Sequence, residues 1–149
     1  MKVSFQYERG KFFLSQDGKH EVRLKDPLSD EENYYSPTEL LLMAMGGCSA
    51  ADIVTMLPKM RTDYERFRCE VSGERRQEYP QTLTNVNISY IFDGNVDIQK
   101  VRKAINLSLT KYCSVSIIVK QGGARLTYSL IVNGDVMDDH KFPEIGDNS

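Results

Sequence analysis

Three cysteines, Cys48, Cys69 and Cys113, are the side chains of this sequence best able to do covalent chemistry. Their number is odd, they lack CxxC spacing, and only two histidines, His20 and His140, accompany them. A zinc site or a secreted disulfide framework is therefore not expected. The thiols are expected to be reduced, with the thiolate as the attacking form. Cys48 stands in SPTELLLMAMGGCSAADIVTML, residues 36–57, directly after Gly46 and Gly47. Each glycine costs about 1 kcal/mol against alanine inside a helix. The pair has two readings. It lets another segment, that of Cys113, approach the sulfur, with Gly47 the tighter position; or it merely permits close helix packing. Cys113 follows one helical pattern and can begin another, where free N–H groups and the positive dipole end favour a thiolate. Beside these stands the ordinary behaviour of a buried cysteine as a small hydrophobe. Cys69 shares a strand face with Phe67 and Val71, so core packing is expected of it.

The elements that must position these residues are legible from patterning. Val3, Phe5 and Tyr7 alternate with polar neighbours, Arg9-Gly10 offers a turn, and Phe12–Leu14 is a second apolar run. Asp17-Gly18 is a hairpin signal leading to Val22 and Leu24. Residues 25–36 are polar around Pro27 and read as a loop. A helix follows, with Ser36 as N-cap, Pro37 at its first position and Glu39 closing a capping box. Its LLLMAM interior is apolar all round, the mark of a helix covered on most sides. Pro58 is expected to end or kink it. Strands are expected over 66–77 and 83–92, then a turn at Asp93-Gly94-Asn95 and a helix capped by Asp97, with Val101, Ala104, Ile105 and Leu109 on one face. Cys113–Lys120 is β-branched yet placed like a helix, and Gly122-Gly123 stops it. Ala124–Val132 reads as a last strand and residues 133–149 as a polar tail. Glu74-Arg75-Arg76 is a solvated strand end, and neither histidine receives a role.

The chain has 149 residues with 40% hydrophobic content, enough for one α+β domain with a real core. With 19 basic and 21 acidic residues the net charge is −2, which gives no case for a nucleic-acid surface. No uninterrupted apolar run approaches the roughly 18 residues that span a bilayer, and the first residues lack an apolar leader core. A cytoplasmic protein without membrane attachment, metal or cofactor is the expectation.

SPTELLLMAMGGCSAADIV, paired with KYCSVS 65 residues on and after a second amphipathic helix, resembles the OsmC/Ohr family of thiol-dependent hydroperoxide-reducing proteins. The wording GGCSA and TKYCSVS is most similar to the YhfA-like branch. The resemblance spans the chain to about Val132. It implies strongly bent antiparallel sheets wrapped around a buried central helix in an intertwined homodimer, and a helix that begins at Cys113. It implies Cys48 as the peroxidatic thiol, Cys113 as the resolving one, and a dithiol reductant of lipoyl type that restores both. In the family an arginine of the N-terminal hairpin holds the thiolate; here that place falls at or near Phe12, with Arg9 the nearest substitute. The family glutamate that positions the arginine follows the helix-start proline, where this chain has Thr38, with Glu39 one residue later. A one-residue shift turns a helical side chain by about 100°. The alternative is a non-catalytic or redox-sensing protein that binds an apolar or thiol ligand in the dimer cleft, or a relic with inert thiols.

Overall fold

A computed structural model describes residues 1–8, 20–30 and 32–146, together with the backbone of 11–14. The chain divides into two compact units, residues 1–41 and 42–149.

The first unit holds a three-stranded antiparallel sheet of β1 (Gln6–Glu8), β2 (Lys11–Leu14) and β3 (Val22–Leu24). The turn dipeptides Arg9-Gly10 and Asp17-Gly18 lie outside the described residues. In the loop that follows, Asp26 is buried and its carboxylate accepts the Leu28 N–H at 2.9 Å. The Arg23 guanidinium stacks 4.0 Å from the Tyr34 ring centroid. The loop ends in the expected capping box. Ser36 Oγ accepts the Glu39 N–H at 3.3 Å, and Glu39 Oε2 accepts the Ser36 N–H at 2.8 Å and its hydroxyl at 2.7 Å.

The box starts helix α1 (Pro37–Lys59), whose greater part belongs to the second unit. That unit continues with β4 (Arg66–Arg75), β5 (Leu83–Asp93), α2 (Ile98–Leu107), a π-helical turn (Ser108–Tyr112), α3 (Ser114–Gln121), β6 (Arg125–Val132) and β7 (Asp135–Lys141). The sheet order is β4-β5-β6-β7, antiparallel except for β5 and β6, which run parallel. The expected wholly antiparallel sheet is thus a mixed one, because the helical stretch between β5 and β6 is a crossover connection. Alternation puts Val86, Ile88, Tyr90 and Phe92 of β5, with Leu126, Tyr128 and Leu130 of β6, on one face. Met45, Ile53 and Leu57 of α1 and Val101, Ala104 and Ile105 of α2 complete that core. The ambiguous segment after Cys113 is helix: its tertiary cover outweighs the strand preference of β-branched residues.

Two readings need correction. The polar tail over 133–149 contains β7, an edge strand entered through Asn133-Gly134, both at positive φ. This dipeptide is the hairpin signal that could have found it, and the acidic character of β7 suits an edge that must not recruit another strand. Burial of α1 on most sides is also not what the chain itself provides. Met45, Ser49, Ile53 and Leu57, four apart, form the buried face, whereas Met43 is 50% and Val54 38% exposed. At 23 residues and a mean hydropathy of 1.8, α1 is long and apolar enough to cross a membrane, which counting uninterrupted apolar residues did not register. Its Met45–Leu57 face is nonetheless part of the sheet-covered core.

Candidate redox site

The site forms where α1 meets the helical crossover. Asp97 caps α2 by accepting the Gln99 and Lys100 N–H groups, and α2 runs into the π-helical turn. That turn closes when the Cys113 N–H donates to the Ser108 carbonyl at 2.8 Å. Cys113 is extended (φ −73, ψ 93) and serves as the N-cap of α3. Cys113 is fully buried. Its thiol donates to Ser116 Oγ at 3.0 Å and lies 3.9 Å from the Met45 carbonyl oxygen of α1. The Cys48 thiol lies near enough to act on its ionisation. Two thiols 65 residues apart in sequence are thus brought near one another, with Cys48 the more exposed of the pair.

Burial pushes the Cys113 thiol up to about 11; the Ser116 hydroxyl and N–H oppose the rise, while hydrogen bonding and charge from Cys48 add to it. The helix start that was expected to favour a thiolate is therefore outweighed by desolvation. Cys69 behaves as expected: it packs against the core, and burial, helped by the charge of Glu70, pushes it up to about 11.

The glycines do something other than expected. A Cβ at Gly46 would lie 2.7 Å from Val71 Cγ2 and 3.5 Å from Cys69 Sγ, whereas one at Gly47 meets nothing within 4 Å among the described residues. Gly46, not Gly47, is the tight position, and its neighbour is β4 rather than the Cys113 segment.

A polar network escaped the sequence reading. Ser49 Oγ hydrogen-bonds the Tyr90 hydroxyl and lies 2.9 Å from Ser108 Oγ, which donates to Asp52 Oδ2 at 2.8 Å. Its signal was available: a serine on the buried face of an apolar helix must find a partner. Beside the network, Asp52, Met56, Lys59, Met60, Leu107 and Tyr112 line a cleft of about 500 Å³.

Glu39 uses its carboxylate in the capping box, and the Ser36 N–H and hydroxyl hold it below the usual carboxylate range. Arg9 and the side chain of Phe12 lie outside the described residues. Among the described residues, no three His, Cys, Asp or Glu side chains are grouped to hold a metal ion.

Residues 29–129 match the family model described as OsmC-like protein. The chain is 34% identical over 130 residues to Protein YhfA of Escherichia coli (strain K12), covering 87% of this chain and 96% of that one. Its fold is similar to the crystal structure of a hypothetical protein from Aquifex aeolicus VF5, with a TM-score of 0.77, 27% identity, and 89% and 95% of the two chains covered. An organic hydroperoxide resistance protein OsmC from Legionella pneumophila, described as a predicted redox protein and regulator of sulfide bond formation, shares the fold. Its TM-score is 0.68 at 13% identity, over 88% of this chain and 96% of that one.

Proposed function

The chain belongs to the OsmC-like family, and from that membership we propose that it reduces organic hydroperoxides or hydrogen peroxide through Cys48 and Cys113. The observation that carries this reading is the adjacency of the two thiols, one half-buried and one fully buried. The greater exposure of Cys48 supports the order of events. Cys48, as thiolate, attacks the O–O bond; an S–O bond forms, the O–O bond breaks, and the alcohol leaves with a proton. Cys113, as thiolate, then attacks the sulfenic sulfur; the S–S bond forms, the S–O bond breaks, and the hydroxide leaves as water with the proton from Cys113. Two thiols and one hydroperoxide give one disulfide, one alcohol and one water. A dithiol of lipoyl type returns both thiols by exchange, through a mixed disulfide. Glu39 is retained in the proposal as a residue that supports the site. The half-exposed apolar side chains of α1, Met43 and Val54, suit a homodimer built on that helix.

The test is turnover of an organic hydroperoxide with dithiothreitol or dihydrolipoamide by the full chain. Peroxide consumption that needs both Cys48 and Cys113 supports the proposal; a parental protein that consumes none overturns it. The cleft beside Tyr112 favours a second reading, in which a small apolar or thiol ligand binds without turnover. Ligand binding by a protein inactive in that assay would select it.

A further inference from the structure

We propose that Ser108, clamped by Asp52 and Ser49, is the positioning residue that sets the separation of the Cys48 and Cys113 sulfurs. This inference rests on the two-thiol reading above and assigns it residues that neither the family resemblance nor the cysteine motifs indicate.

The network has a direction. An ionised carboxylate only accepts hydrogen bonds, and Ser108 Oγ donates to Asp52 Oδ2. Ser108 therefore accepts from Ser49, and Ser49 in turn accepts from the hydroxyl of Tyr90. Ser49, Ser108 and the Tyr90 ring are buried, so the Tyr90–Ser49 and Ser49–Ser108 bonds hold where water cannot replace them, while Asp52 anchors the network at the cleft.

Its placement is what matters. Ser49 and Asp52 follow Cys48 on α1 by one and four residues, so Ser108 is gripped at two points on the helix that carries Cys48. The carbonyl of the same Ser108 accepts the Cys113 N–H at 2.8 Å. One residue thus joins the backbone of the resolving thiol to the helix of the attacking thiol, through its side chain on one side and its carbonyl on the other. The junction lies at the π-helical turn Ser108–Tyr112, the kind of irregular turn that recurs at functional sites. Disulfide closure tolerates only a narrow range of Cα separations and dihedral angles. A link between the two carriers is therefore a direct control on closure.

The experiment follows the intramolecular step alone, without peroxide. Oxidised glutathione forms a mixed disulfide at Cys48, the Cys113 thiolate displaces glutathione, and mass spectrometry times the loss of the adduct. Alkylation of Cys48 by iodoacetamide, a bimolecular reaction, is followed in parallel. In Asp52→Ala and Ser108→Ala the adduct is expected to accumulate, with closure slowed about tenfold to a hundredfold and alkylation unchanged within about twofold. Asp52→Asn keeps an acceptor oxygen and is expected to recover most of the closure rate. A merely structural role would slow both reactions or lower the melting temperature with closure intact. If Ser108→Ala does not fold, Asp52→Ala, altered at the cleft, decides. Parental closure in the alanine variants overturns this inference alone. A parental protein that never closes the disulfide overturns the two-thiol reading with it.

Discussion

Gly46 of α1 faces Val71 of β4 so closely that a Cβ on the glycine would stand 2.7 Å from Val71 Cγ2. The approach is reciprocal. A Cβ on Gly73 of β4 would stand 3.0 Å from Leu42 Cδ2 of α1. Helix and strand dock through two missing side chains.

Stability of glycine variants follows from this contact. Gly46→Ala gains about 1 kcal/mol of helix propensity but must displace Val71 at about 1–3 kcal/mol. Gly47→Ala meets no such obstacle among the described residues, so Gly46→Ala is expected to be the less stable of the two by about 1–3 kcal/mol in denaturant unfolding. On a Val71→Ala background the penalty at Gly46 should shrink. Equal stabilisation by both alanines would remove the packing account.

Thiol mapping gives a second outcome. After mild peroxide treatment a Cys48–Cys113 bridge is expected, with Cys69, partly buried against the core, left out of any bridge and still alkylatable. Cys113→Ser should leave a sulfenic acid at Cys48 that dimedone traps. A bridge that includes Cys69 would contradict the assignment.

Assembly is tested through the outward side of α1. Met43→Glu together with Val54→Glu places two carboxylates where apolar side chains are half-exposed. If the proposed homodimer forms there, sizing at low micromolar concentration should change from about twice 17.0 kDa to 17.0 kDa. A parental protein that already sizes as a monomer contradicts the dimer.

Alkaline pH should act on both Cys69 and Cys113. Folding raises Cys69 and Cys113 from an ordinary 9.0 to about 11, so between these values the unfolded chain releases protons that the folded chain keeps. Stability is full below about 9 and falls toward 11, by on the order of 1–2 kcal/mol for each thiol after allowance for partial solvent screening. Unfolding curves from pH 8 to 11 should show the decline, and Cys69→Ala should flatten it. The same shift makes Cys113 the slow partner: disulfide closure should rise about tenfold per pH unit from 7 to 9. A closure rate independent of pH would mean that Cys113 is not the attacking thiol.

Local elements were legible because their signals lie within a few residues. Ser36 and Glu39, and Asp97 with the two N–H groups it accepts, are such cases. The spacing that marks Val101, Ala104 and Ile105 as one face is equally local. The β7 strand was missed although Asn133-Gly134 announced it, because its acidic residues lack the apolar alternation of a buried strand. Ser49, Asp52 and Ser108 were passed over because each is unremarkable among its neighbours in the chain.

By itself, then, the sequence determined the helices, most strands and the family, all carried by residue type and short spacing. Tertiary structure alone decided that β5 and β6 run parallel, that Gly46 rather than Gly47 is close-packed, and that Ser108 joins the two cysteine carriers. It also decided the ionisation of Cys113, where burial outweighs the start of α3. These outcomes depend on which distant segments share a contact and how much water they exclude. No pattern within a few residues of a chain encodes either quantity.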